Sequence, residues 1–300
     1  MKFGVHVGIG KGFKKTVEEA LAKGCESIQI FAGNPRGFRR TPYDATAWEE
    51  FRRLRRENGI GPVVIHTSYL VNLVTESKDL HRKSIELVAH DLLVAAKGGI
   101  EYVNTHLGSY GDQDRADAFD RVCASIDALV KTAPAGPMLL LENSAGAGNA
   151  CGGRMDELGK IVRAVGSARV GVCLDTAHAW ASGYDISTKK GVDAFVREVG
   201  KHIGLRRVRA LHTNDTQVEL GSKRDLHWHV GRGKIGTVGF RSLLATPGLA
   251  HAAAICETPD SGMDATNVSM LRSLAPRGTS KRKSAPKSEL SPPKTGKKRR

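Results

Sequence analysis

The chain alternates, eight times over, between a short β-rich run and a longer stretch of helical character. The runs are KFGVHVG, SIQIFAG, PVVIHTS, YVNTHLGS, MLLLENSA, VGVCLDT, RALHTND and AAAICETP. Between them, segments such as ATAWEEFRRLRREN, LHRKSIELVAHDLLVAAK, AFDRVCASIDALVK and MDELGKIVRAVG space their apolar residues for one face of a helix. Strand–helix units in series predict a parallel sheet. Eight units within residues 1–275 and no clear mid-chain linker favour closure into a (β/α)8 TIM barrel, with an open doubly wound sheet as the competitor.

Most runs begin apolar and end in His, Asp, Glu or Asn. In a barrel the C-terminal strand ends build the active site. Read in order, these ends give His66, His106, Glu142, Asp175 and His178, then His212, Asp225 and His227, and last Glu257. A single strand-end histidine is ordinarily a hydrogen-bonded structural residue. Nine imidazoles and carboxylates converging on one mouth are different. The four carboxylates would repel one another and resist desolvation, and divalent cations remove that cost. Imidazole with carboxylate suits Zn2+ or Mn2+ better than Mg2+. Nine ligands exceed one ion's needs, and with one carboxylate bridging they fit three. Such multi-metal sites serve phosphodiester hydrolysis.

Charge adds a hint about the partner. Residues 277–300 hold ten Lys and Arg against one Glu, a charge of +9, so the other 276 residues carry +6 of the total +15. A moderately basic body points to a polyanion. The tail from residue 276 to 300, rich in Lys, Arg, Ser and Pro, is expected to be disordered. It reads either as a solubilising segment or as a non-specific phosphate-binding arm. No apolar run reaches the roughly 18 residues of a membrane span, and MKFGVHVG lacks the features of a signal peptide, so a cytoplasmic protein with no membrane partner is expected. Cys25, Cys123, Cys151, Cys173 and Cys256 form no C-x-x-C and read as reduced structural thiols rather than ligands. GIGKG at Gly8–Gly12 reads as a tight turn rather than a dinucleotide fingerprint. GRGKIG at Gly231–Gly236 reads either as a backbone that approaches phosphate closely or as a flexible turn before a helix starting near Val238.

The blocks HTSYLVNL, NTHLGS, LENSAGAGN, GVCLDTAHAWASGYD, LHTNDTQVELGSKRDLHWHVGRGKIG and ETP together resemble endonuclease IV, the metal-dependent apurinic/apyrimidinic endonuclease family. They are spread from residue 1 to about 275, in family order and spacing. The resemblance implies a (β/α)8 barrel with three zinc ions, Mn2+ being a possible substitute. It implies that His66, His106 and Glu142 hold the first ion. Glu142 would bridge to the second, completed by Asp175, His212 and Glu257, and His178, Asp225 and His227 would hold the third. It implies hydrolysis 5′ to an abasic site, leaving a 3′-hydroxyl and a 5′-deoxyribose phosphate, with Glu142 and Glu257 in catalytic roles and trimming of blocked 3′ ends. Its partner would be double-stranded DNA, met by a monomer associated with the nucleoid. The groove-entering positions of the family fall on Arg36, Tyr69 and Leu70, of types that suit filling a gap in the stack and wedging between bases.

Three departures stand out. Thr67 replaces a common Asp and Ala177 a common Cys, and Trp228 separates His227 from His229, so that His229 competes with His227 for the third ion. Two other readings remain: a metal-dependent sugar isomerase or epimerase on the same barrel, and a non-catalytic DNA-binding protein using the tail.

Overall fold

A computed structural model describes residues 1–39, 45–259 and 261–276. The expectation for the tail falls on residues 277–300, outside the described ones. Eight parallel strands close in sequence order, β1 pairing with both β2 and β8. They are β1 (Lys2–His6), β2 (Ser27–Phe31), β3 (Val63–His66), β4 (Tyr102–Thr105), β5 (Met138–Glu142), β6 (Val170–Asp175), β7 (Val208–His212) and β8 (Ala253–Cys256). The closed (β/α)8 barrel is therefore the fold, and the open sheet is excluded.

The helices are α1 (Phe13–Ala22), α2 (Ala45–Glu57), α3 (Lys78–Gly98), α4 (Arg115–Thr132), α5 (Met155–Val165), α6 (Thr176–Ala181), α7 (Lys189–His202), α8 (Gly236–Leu244) and α9 (Asp264–Leu274). One element breaks the regular alternation: β6 is followed by two helices, the short α6 and then α7. The α8 helix begins at Gly236, two residues before the expected Val238. Among the described residues no helix is long and apolar enough to cross a membrane.

The barrel interior is filled from below. Val64, Ala253 and Ile255 form one small cluster and Leu140, Cys173 and Ala210 another, with Tyr102 packed against both. Between strands and helices runs the main core, including Phe3, Ile28, Trp48, Phe51 and Phe240. At about 25 cal/mol per Å2, burial of apolar surface on this scale is the main force holding the barrel shut. Gly4 is required where β1 meets β2, because a Cβ there would lie 1.7 Å from Ser27 O. With the interior apolar below, the polar strand ends are raised to the C-terminal mouth.

Candidate metal centre

The inward alternation of each strand brings its last residue to the mouth. His66, Glu142, Asp175 and His212 end β3, β5, β6 and β7, while His106 and Glu257 each stand one residue past β4 and β8. Asp175 also begins a helix. Its Oδ1 accepts the His178 N–H at 2.8 Å, the N-cap geometry that starts α6, and His178 thereby comes back over the same mouth.

Ligand atoms gather in three groups, each with all atoms within 4.8 Å: His66, His106 and Glu142; Glu142, Asp175, His212 and Glu257; and Asp175, His178 and His227. Two groups share Glu142 and two share Asp175. Asp225 is absent from these sets, yet its Oδ1 lies 3.2 Å from His178 Nε2 and 3.3 Å from His227 Nε2. The nine residues named from the sequence are thus brought together, with Asp175 reaching further than expected: its Oδ2 is 3.7 Å from His212 Nδ1 and 3.5 Å from His227 Nε2.

Three of the imidazoles are each held in one orientation by a backbone carbonyl. His66 Nδ1 lies 2.7 Å from Thr67 O, His178 Nδ1 2.9 Å from Asn143 O, and His227 Nδ1 3.0 Å from Glu257 O. A carbonyl only accepts, so each Nδ1 carries the proton and donates it. The remaining Nε2 lone pairs face carboxylate oxygens, as in His66 Nε2 to Glu142 Oε2 at 3.2 Å. Two of them, on His178 and His227, also face each other across 3.4 Å. Lone pairs turned on carboxylates need either extra protons or cations. Two imidazolium ions at that separation repel, so a shared cation fits this donor set better. Fixing the second imidazole nitrogen on an acceptor is how metal-ligating histidines are oriented.

The electrostatics agree. Burial by itself would raise the Glu142 carboxyl, but the imidazoles of His106, His212 and His178 hold it well below the carboxylate range. Burial pulls His227 down, and Asp175 and Asp225 overcome it, raising it to about 9. His106 goes the other way: burial lowers it despite Glu142.

Further residues of the centre had no motif to announce them. Gln29, buried at β2, accepts from His212 Nε2 at 2.8 Å through Oε1 and donates through Nε2 to Glu257 Oε1. Asn214 Nδ2 donates to Asp175 Oδ2 at 2.7 Å, and its Oδ1 accepts the Glu257 N–H at 2.7 Å. Asn104 donates to Glu142 Oε2. A polar residue at an inward strand position was the available signal, clearest for Gln29 in SIQIF.

His229 does not compete with His227. It is buried elsewhere, with Nε2 3.0 Å from Ser261 Oγ and Nδ1 3.2 Å from Asn267 Nδ2. Thr67 turns its hydroxyl to Thr105 Oγ1 at 2.9 Å, and Ala177 is buried in α6.

A cavity of about 530 Å3 opens beside the centre. His66, His106, His178, Asp225 and His227 are among its lining residues, together with the apolar Leu70, Leu80, Ala145 and Ala147. Tyr69 stands at its rim, 59% exposed. The two loops expected to meet DNA are joined: Tyr69 N donates to Pro35 O at 3.1 Å and Ser68 Oγ to the same oxygen at 2.6 Å, which sets exposed Arg36 next to Tyr69 and Leu70.

Barrel and mouth define a barrel enzyme of the xylose isomerase-like TIM-barrel class, whose family model matches residues 17–279. Within that class, the chain is 40% identical over 276 residues to the probable endonuclease 4 of Methanoculleus marisnigri, covering 91% of this chain and 98% of that one. It is 38% identical over 273 residues to that of Natranaerobius thermophilus, covering 91% and 96%. The crystal structure of endonuclease IV from Thermus thermophilus superposes with a TM-score of 0.81 at 37% identity, covering 91% of this chain and 98% of that one. The chain belongs to the endonuclease IV family and is a hydrolase of the nuclease class. A D-psicose 3-epimerase of Clostridium cellulolyticum, at 20% identity and a TM-score of 0.63, shares the fold alone.

Proposed function

We propose that this enzyme hydrolyses the phosphodiester 5′ to abasic sites in double-stranded DNA, leaving a 3′-hydroxyl and a 5′-deoxyribose phosphate, and that it also trims blocked 3′ ends. Residues 1–275 carry the activity as a monomer, associated with the nucleoid in the cytoplasm, and residues 276–300 add a basic arm. The observation that carries this reading is the sharing of Glu142 and Asp175 among three ligand groups. Three zinc ions fit the mouth, with Mn2+ able to substitute: one on His66, His106 and Glu142, one on Glu142, Asp175, His212 and Glu257, and one on His178 and His227 beside Asp175, with Asp225, whose Oδ1 faces both rings, as its carboxylate. When bound, such cations neutralise phosphate charge and make water a nucleophile at neutral pH.

The chain's own groups do the rest. The apolar lining residues Leu70, Ala145 and Ala147 accept a deoxyribose with no base, which has little stacking to lose on extrusion. Tyr69 and Leu70 wedge into the gap, and Arg36 fills it and meets phosphate. Glu257, held ionised by His212, orients the attacking water and takes its proton. The new bond joins water oxygen to phosphorus, and the bond from phosphorus to the 3′ oxygen breaks on the side of Asp225 and His227, the departing oxygen taking a proton from solvent to become the 3′-hydroxyl.

The test is a duplex with one abasic site, natural or the tetrahydrofuran analogue. Both should be nicked on the 5′ side to a primer that a polymerase extends. Cleavage of the natural site only, on its 3′ side, would overturn hydrolysis. Metal content separates the alternatives: about three zinc ions per chain for the nuclease, one or two for a sugar isomerase, none for a binding module.

A further inference from the structure

GRGKIG encloses an anion, and the anion belongs to the chain. The buried Asp215 carboxylate accepts the backbone N–H groups of Gly233 at 2.9 Å, Ile235 at 3.0 Å and Gly236 at 3.2 Å, as well as that of Thr216 at 2.8 Å. The approach is too close for any other residue at position 233, where a Cβ would lie 2.2 Å from Thr216 O and 2.4 Å from Asp215 Oδ1. The phosphate reading of this motif therefore gives way to an internal ligand.

The same two residues grip the other arm of the loop. Asp215 and Trp228 exchange both backbone hydrogen bonds, at 3.0 and 2.6 Å. Thr216 Oγ1 donates to Leu226 O at 2.6 Å, and Thr216 O accepts the Lys234 N–H at 2.7 Å. Leu226 lies between Asp225 and His227, and Trp228 directly follows. The backbone on both sides of His227 is thus fixed by Asp215 and Thr216, whereas the Asp225 side chain, 56% exposed, meets only His178 and His227 among the ion pairs of the described residues.

We propose that Asp215 is a positioning residue for the Asp225–His227 pair, acting through the loop it ties together. This rests on the reading of the mouth as a metal centre. Asp215 touches none of the ligand atoms itself. Its carboxylate closes the 233–236 arm onto the 226–228 arm, so that His227 Nε2 and Asp225 Oδ1 meet His178 Nε2 in one arrangement. Without that closure the loop still exists, but it presents its two ligands across many geometries.

Asp215→Asn turns one acceptor into a donor against backbone N–H groups. Zinc affinity of the site that takes Asp225 and His227 should fall about 10- to 100-fold, the effect usual for outer partners of metal ligands. The other two sites should hold, and amides of residues 225–236 should exchange faster while those of the strands do not. Thr216→Val, which removes only the hydroxyl held on Leu226 O, should act in the same direction and less. Adding Asp215→Asn to His227→Ala should remove no further zinc, because both act on one site. Wild-type protein that takes up no cation overturns the metal reading and this proposal with it. Wild-type protein that takes up three, with Asp215→Asn keeping all three at unchanged affinity, overturns the proposal alone. A variant that weakens all three sites together and melts as a whole overturns it as well, since that is the mark of a general structural role.

Discussion

Asp175 Oδ1 caps the His178 N–H at 2.8 Å while Asp175 Oδ2 stands 3.5 Å from His227 Nε2, so one carboxylate both starts a helix and faces the residues that helix helps to assemble. Strand β6 delivers the acid, and the turn it caps brings His178 back to the mouth three residues later.

Asp175→Asn and Asp175→Ala should therefore part company in stability but not in metal. Asparagine caps a helix about as well as aspartate, whereas alanine loses about 1 kcal/mol. Both remove the charge shared by two ligand groups. His178→Ala removes a member of one group only. Zinc per chain and melting temperature, measured together, check this. The idea is sunk if Asp175→Asn and His178→Ala lose the same single ion.

Glu142 and Tyr69 should separate chemistry from binding. Glu142 joins two groups, so Glu142→Gln should lower kcat by roughly 10²- to 10³-fold or more, the scale of losing one preorganised charge stabiliser. Tyr69→Ala should weaken DNA binding by about 1–3 kcal/mol, the value of one stacked base, and act mainly on KM. Steady-state kinetics on an abasic duplex would decide, and the reverse order would undermine the bridging role.

Metal binding should release protons. In the metal-free protein Asp175 and Asp225 overcome burial to raise His227 to about 9, and His178 is raised as well. A cation must displace those protons, so affinity should climb as pH rises, and the part due to His227 should level off once pH passes about 9. The metal-free fold has the opposite dependence. What His227 adds to its stability is full below about pH 6.5 and is lost as pH rises through about 9. Zinc titration against a competing chelator at several pH values reads the first effect, and a pH-independent affinity would contradict it.

The barrel was legible because its signal is repetitive: eight apolar runs with polar ends admit few other closures. Six of the candidate ligands, His66, His106, Glu142, Asp175, His212 and Glu257, were legible for the same reason, since a His, Asp or Glu at the end of an apolar run has few cheap explanations, whereas His178, Asp225 and His227 lie further beyond the strands and stood out through the resemblance. The amides were not. Gln29, Asn104 and Asn214 act by donating to carboxylates and fixing tautomers, and such residues are common wherever a strand ends. Asp215 was hidden because its partners are backbone N–H groups, which carry no sequence signature. His229 looked like a rival ligand because adjacency in sequence hides direction: Trp228 pairs with Asp215, His227 turns to the centre, and His229 turns to Ser261 and Asn267.

The basic arm can be assigned by its salt dependence. Residues 277–300 carry +9 and almost no apolar side chains. If they lie along the phosphates, each contact releases a counterion and adds about 0.9 to the slope of log affinity against log salt. Deleting them should then flatten that slope by several contacts' worth and weaken binding to intact and abasic duplexes alike. Lesion preference should survive, because Arg36, Tyr69, Leu70 and the cavity stay in place. Binding isotherms at several salt concentrations, on both duplexes, give the slope and the preference together. An unchanged slope would leave the tail as a solubilising segment. A lost preference would mean that the arm helps recognise the lesion, which a non-specific phosphate contact does not do.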